Sequence, residues 1–136
     1  MRNQKSKIIK VMGFGTFDGI HPGHRFFLGQ LKKLGDKVYL VVARDRNVKR
    51  IKGKKPHFNE KERLKAIKET GVADRVLMGH TKDFYHWINK FQPHVIGLGY
   101  DQKANVEDLK KTFPDIEIIK LEALEPKKYK SSILNK

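Results

Sequence analysis

The chain has no cysteine. That excludes a disulfide framework and thiol chemistry, and it permits an intracellular setting. No apolar run approaches bilayer length, and the run Ile8 to Met12 is short and interrupted by Lys10. A membrane span and a signal peptide are therefore not expected, and the sequence reads as cytoplasmic. Acidic residues are scarce: 15 Asp and Glu stand against 30 Lys and Arg, a formal charge of +15. Such a balance attracts polyanions, whether nucleic acid, a membrane surface or phosphorylated small molecules. There is no internal repeat, and 136 residues suffice for one core and not two. The expectation is one domain over 1–136, with residues 1–7 as a basic tail.

What is present centres on Gly13-Phe14-Gly15-Thr16-Phe17-Asp18-Gly19-Ile20-His21-Pro22-Gly23-His24. An apolar run precedes it, and Phe27, Leu28, Leu31 and Leu34 follow at helical spacing, so it reads as strand, glycine turn and helix start. Pro22 suits the first helical position, which makes His21 the N-cap. The amides of that first turn and the positive end of the helix dipole favour an anion, and Gly23 lets a phosphate approach. Three other readings fit less well. The glycine spacing is one residue too long for the dinucleotide fingerprint, and only Asp45 follows the next strand as an acid. A zinc site lacks its third ligand, so no metal ligands are assigned. Ordinary surface histidines would not bracket a glycine after such a turn.

In chain order, strands are expected at 8–14, 37–43, 75–78, 94–98 and 116–121. Helices are expected at 22–34, from Asn59 (with Glu62 at capping-box spacing) to Gly71, at 84–91 and at 105–112. Gly35 is expected at a C′-like position of the first helix. Residues 44–58 read as a charged loop, and Ser131 to Leu134 as the start of a truncated helix. Strands alternating with helices imply an α/β fold, a doubly wound parallel sheet with helices on both faces. The active site then belongs at the carboxyl ends of the strands, beside strand 1. Lys49, Arg50, Lys52, Lys54 and Lys55 put five positive charges within seven residues with no acid among them, which argues for a counter-ion.

Gly15-Thr16-Phe17-Asp18 followed by His21-Pro22-Gly23-His24 resembles the signature of the cytidylyltransferase-like nucleotidyltransferases, the His-x-Gly-His superfamily. Val42-Ala43-Arg44-Asp45, the Lys-Gly-Lys-Lys-Pro run at 52–56 and Leu98-Gly99-Tyr100-Asp101-Gln102 are similar to the archaeal-type FAD synthases, which transfer AMP from ATP to FMN. The resemblance runs from about residue 8 to 134. It implies a Rossmann-like sheet of order 3-2-1-4-5, ATP and FMN as substrates, Mg²⁺ on the leaving phosphates, and a homodimer.

Residue by residue, the resemblance makes His21 and His24 the phosphate and transition-state residues, with Lys52 and Lys54 as basic partners. It assigns nucleotide contacts to Gly15, Thr16, Phe17, Gly23, Asp101, Ser131 and Ser132, and the acceptor side to Asp18, Lys55 and Arg63. Asp18 is expected to orient the turn or cap N–H groups, because a phosphate nucleophile needs no general base. His57, His80, His86 and His94 match no motif. The family's C-terminal Arg-Thr-x-Gly-Ile-Ser-Thr-Thr segment is replaced by Pro126 to Ser132, without its arginine and glycine. Phe58, Tyr100 and Tyr129 are candidates for an aromatic surface against a flavin ring. The alternatives are a cytidylyltransferase acting on CTP and a small phosphate such as glycerol 3-phosphate, and a basic nucleic-acid-binding module on the same fold. No aromatic-rich RNA signature supports the module, so nucleic acid is not an expected partner.

Overall fold

A computed structural model describes residues 7–80, 82–99 and 106–121, with backbone only at 51 and 52. Five parallel strands form the sheet: β1 (Lys10–Gly15), β2 (Lys37–Val42), β3 (Arg75–Met78), β4 (Val95–Leu98) and β5 (Glu117–Lys120). Between them run α1 (Pro22–Leu34), α2 (Asp45–Lys52), α3 (Glu60–Thr70), α4 (His86–Phe91) and α5 (Val106–Thr112). The spatial order is β3-β2-β1-β4-β5, as the resemblance implies. The order reverses at β1, which pairs with β2 through Gly13↔Leu40 and with β4 through Gly13↔Gly97. The crevice beside the carboxyl end of β1 is where such sheets bind ligands.

Alternation along β1 sorts the core into two layers. Val11 joins Leu28 and Leu31 of α1, Leu40 and Val42 of β2, and Ile67 of α3 on one face. Met12 and Phe14 join Ile88 of α4 and Leu109 of α5 on the other. Each such buried side chain stabilises the fold by about 1.5–3 kcal/mol relative to exposure. Gly13 and Gly97 have a special use here. A Cβ on either would lie 2.6 or 2.5 Å from the Leu31 methyls, so only glycine lets α1 sit this close to the sheet. That close seat fixes the position of the α1 N-terminus above the end of β1.

Two expectations are corrected. Gly35 is extended (φ −171°, ψ −167°) and not left-handed. Its role is contact, since a Cβ there would meet Val11 Cγ2 at 2.7 Å and Ile9 O at 2.8 Å. The span 44–58 is not all loop, for Asp45–Lys52 is helical and ends on left-handed Gly53 (φ 86°). Its N-cap residue, Arg44, makes no side-chain cap. The acid comes instead from the next helix: Asp45 N donates to Glu60 Oε1 (2.8 Å) and Glu60 N donates to Asp45 Oδ2 (3.2 Å). This reciprocal cap joins residues 15 apart and leaves no local pattern. α3 by contrast carries the expected capping box, Asn59 with Glu62.

Candidate active site

β1 ends at Gly15, and the turn after it is built on an unusual backbone. Phe17 adopts φ 54° and Gly19 φ 86°, with Gly19 N donating to Phe17 O at 3.0 Å. A phenylalanine in the left-handed region is strained and needs compensation. Its side chain is buried, and its ring lies over Gly15, where a Cβ would meet it at 2.7 Å. From this turn the chain reaches His21, which is extended (φ −134°, ψ 175°) as an N-cap should be.

The His21 imidazole is itself the cap. Its Nδ1 accepts from Gly23 N at 3.0 Å and His24 N at 3.4 Å, so its proton sits on Nε2 as an outward donor. The two amides expected to meet an anion directly are thus already used. What the helix start still offers an anion is the positive end of its dipole. Gly23 matters for the same cap: a Cβ there would lie 2.9 Å from His21 Cε1. The rings of His21 and His24 stack with centroids 3.8 Å apart at 26°, and His24 stands edge-on to Phe17 at 5.6 Å. The pair thus packs as a two-ring stack against a buried aromatic.

The acids and Arg63 do something other than touch substrate. Asp18 accepts from His57 N (2.6 Å) and Phe58 N (2.8 Å), which ties the glycine turn to the loop carrying Lys54 and Lys55. Burial pushes its carboxyl up. The Phe58 and His57 amides, then the Arg63 and His57 charges, outweigh this and hold it below its ordinary 3.8. So Asp18 caps N–H groups, as expected of it. Arg63 is 1% exposed. Its guanidinium donates to Thr16 O (2.8 Å), Phe58 O (3.0 Å) and Asp45 Oδ1 (2.6 Å). A buried fork with three acceptors is a brace, and this geometry does not offer Arg63 to an acceptor phosphate.

Around that brace, Arg44 donates to Gly79 O (2.7 Å), linking the ends of β2 and β3. Lys54 and Lys55 are exposed just past α2, and Lys49 and Arg50 are exposed on it. Lys52 is the last helical residue of α2, so it and Lys54 flank the Gly53 cap. The structure therefore brings Gly15, Thr16, Phe17, Asp18, His21, Gly23 and His24 together, with Arg63 and the lysine loop fastened behind them. Asp101, Ser131 and Ser132, like Tyr100 and Tyr129, lie outside the described residues. The Asp45–Glu60 cap and the Arg44 link were missed in the sequence; the Val-Ala-Arg-Asp run was its only signal. No described helix is long and apolar enough to cross a membrane.

Comparison with known proteins agrees with this geometry. The FAD synthase of Methanosarcina barkeri is 41% identical over 100 residues, covering 74% of this chain and 70% of its own. The FAD synthase of Thermoplasma acidophilum is 42% identical over 111 residues, 82% of this chain and 78% of its own. Among solved structures, the lipopolysaccharide core biosynthesis protein from Thermoplasma volcanium has a TM-score of 0.82 and 37% identity. It covers 88% of this chain and 100% of that one. The cytidylyltransferase-like family matches residues 12–134. That span takes in the glycine turn, both histidines, the lysine loop and the whole sheet but the first two residues of β1; the chain belongs to the cytidylyltransferase-like family.

Proposed function

We propose that this protein is an FMN adenylyltransferase, which transfers AMP from ATP to FMN and releases pyrophosphate. The observation that carries the reading is the stacked His21–His24 pair at the start of α1, in a chain about two-fifths identical to FAD synthases. A phosphate oxygen of FMN attacks the α-phosphorus of ATP in line. A new P–O bond forms there as the bond to the β-phosphate oxygen breaks, and that oxygen leaves with pyrophosphate. No covalent enzyme intermediate is needed, so the work is positioning and charge stabilisation.

The side chains divide that work. His21 holds the first turn through Nδ1 and offers Nε2–H to a phosphate oxygen. His24 meets the charge that builds on the α- and β-phosphate oxygens, and preorganised donors of this kind give the largest single contribution in such sites. Gly15, Thr16, Phe17 and Gly23 bring the turn backbone to the nucleotide. Asp101, Ser131 and Ser132 complete the nucleotide side in this proposal. Lys52, Lys54 and Lys55 offset the repulsion between two polyanions. Among the described residues, no three His, Asp or Glu side chains group to hold a metal ion. In this proposal Mg²⁺ would sit on the phosphates of ATP and offset the charge of the leaving pyrophosphate.

We place the reaction in the cytoplasm and the active form as a homodimer; sedimentation at twice 15.8 kDa would support the dimer, and full activity at 15.8 kDa would remove it. The reading itself is tested by crossing ATP and CTP with FMN, glycerol 3-phosphate and phosphocholine. FAD from ATP and FMN is the expected product. Product only from CTP and a small phosphate acceptor would hand the assignment to the cytidylyltransferase alternative.

A further inference from the structure

Phe84 is 52% exposed, at the carboxyl end of the sheet beyond β3. A single exposed phenylalanine means little by itself. This one stands by the carboxyl end of β1, on the α4 and α5 face of the sheet. Its ring lies tilted against Phe14 (centroids 5.1 Å apart, 31°), and Phe14 directly precedes the Gly15–Asp18 turn. Phe14 is buried and the Tyr85 ring lies 5.6 Å from Phe84 at 58°, so Phe84 is covered on those sides and about half of it stays open.

The described residues on either side of Phe84 are also tied down by hydrogen bonds. Gly79 N donates to Val42 O (2.8 Å), and Gly79 O accepts from Arg44 Nε (2.7 Å). Asn47 donates to His80 O (3.3 Å), and His80 Nδ1 accepts from Lys82 N (3.2 Å) and Asp83 N (3.0 Å). Tyr85 N donates to Asp83 (3.0 Å), and its hydroxyl donates to Asp108. These bonds order the described residues around Phe84, which lowers the cost of ordering them on binding.

We propose that Phe84 is the residue that recognises the acceptor, receiving the isoalloxazine ring of FMN on its free face. The inference rests on the FMN adenylyltransferase reading. A planar tricyclic ring gains from a flat apolar floor, whereas a small polyol phosphate does not. The other exposed phenylalanine, Phe58 (41% exposed), is turned edge-on to His57 at 4.8 Å and lies against Gly19. It is fastened to the phosphate turn itself through Asp18.

The test compares Phe84→Ala, Phe84→Leu, Phe84→Trp and Phe58→Ala with wild type. FAD formation is read at varied FMN and ATP, and FMN binding by fluorescence quenching. Phe84→Ala is expected to raise the KM for FMN about tenfold or more, the scale of one lost ring stack, with the KM for ATP unchanged. Phe84→Leu should recover little of this and Phe84→Trp most of it. A KM for FMN within twofold of wild type in Phe84→Ala, or a rise only in Phe58→Ala, would overturn the inference while FAD formation stands. If Phe84→Ala does not fold, the Leu and Trp variants decide: equal KM values for FMN would overturn it. If wild type makes no FAD at all, the FMN reading fails first and this inference with it.

Discussion

Replacing Arg63 by alanine should damage both the fold and the site. The wild-type guanidinium is 1% exposed and serves Thr16 O, Phe58 O and Asp45 Oδ1. Removing a buried member of an ion pair costs about 3–5 kcal/mol when its partner is stranded. The Asp45 side chain is 31% exposed and keeps its bond from Glu60 N, so water relieves part of that cost. A loss of about 3 kcal/mol is expected, from one charge-assisted bond and two carbonyl bonds. For a chain of this size that lowers Tm by about 10 °C. Lysine keeps the charge without the fork and should recover less than half of the loss. Turnover should fall as well, at temperatures where the variant is folded, because Phe17 holds its left-handed φ against the Thr16 carbonyl that Arg63 grips. Thermal unfolding by circular dichroism, paired with steady-state kinetics, is the assay. A Tm within about 2 °C of wild type, with unaltered turnover, would refute the idea of a buried brace.

Further outcomes follow from other positions. His24→Ala should cut kcat about a hundredfold or more, the scale of one lost preorganised donor, with a smaller change in KM; wild-type turnover would remove His24 from the mechanism. Lys54→Ala with Lys55→Ala should raise KM for a phosphate substrate while Tm moves by less than about 0.5 kcal/mol equivalent, and unchanged kinetics would make these lysines a solvated surface. The Asp18 carboxyl is held below 3.8, so its contribution to stability is full above that pH and is lost as pH falls through the lower folded value. Acid unfolding of Asp18→Asn should lack that component, and identical acid profiles would contradict the assignment. The Tyr85 hydroxyl is pushed up to about 12 by burial, then by its hydrogen bond to Asp108 and that charge. Its stabilising effect holds below pH 10 and is lost as pH rises through about 12. Absorbance titration should show one late tyrosine that Asp108→Asn brings earlier.

Much of this architecture was legible in the sequence because its signals are local. Pro22 after His21, the Asn59–Glu62 box and the apolar β-rich run of β2 each state their structure within a few residues. The strand order came from the family resemblance and not from periodicity. What escaped is held by partners far along the chain. α2 reads as a charged loop because its cap comes from Glu60 and its only described buried residue is Val48. Arg63 is expected on the acceptor side, and its burial depends on Thr16 O and Asp45, which are far along the chain, as well as on nearby Phe58 O. The tight seat of Gly13 and Gly97 against Leu31 is set by the packing of α1 on the sheet and has no local signal. The sequence singled out His21 and His24 and placed His21 at the N-cap, but it did not show that its own imidazole would take the helix amides or that the two rings would stack.

The central claim is that AMP, and no other part of ATP, moves to FMN. ATP labelled at the α-phosphorus, incubated with FMN and the purified protein, should deliver its label to FAD, with one pyrophosphate released for each FAD formed. Label that stays out of FAD, or a γ-phosphate label that appears on the acceptor, would contradict the account.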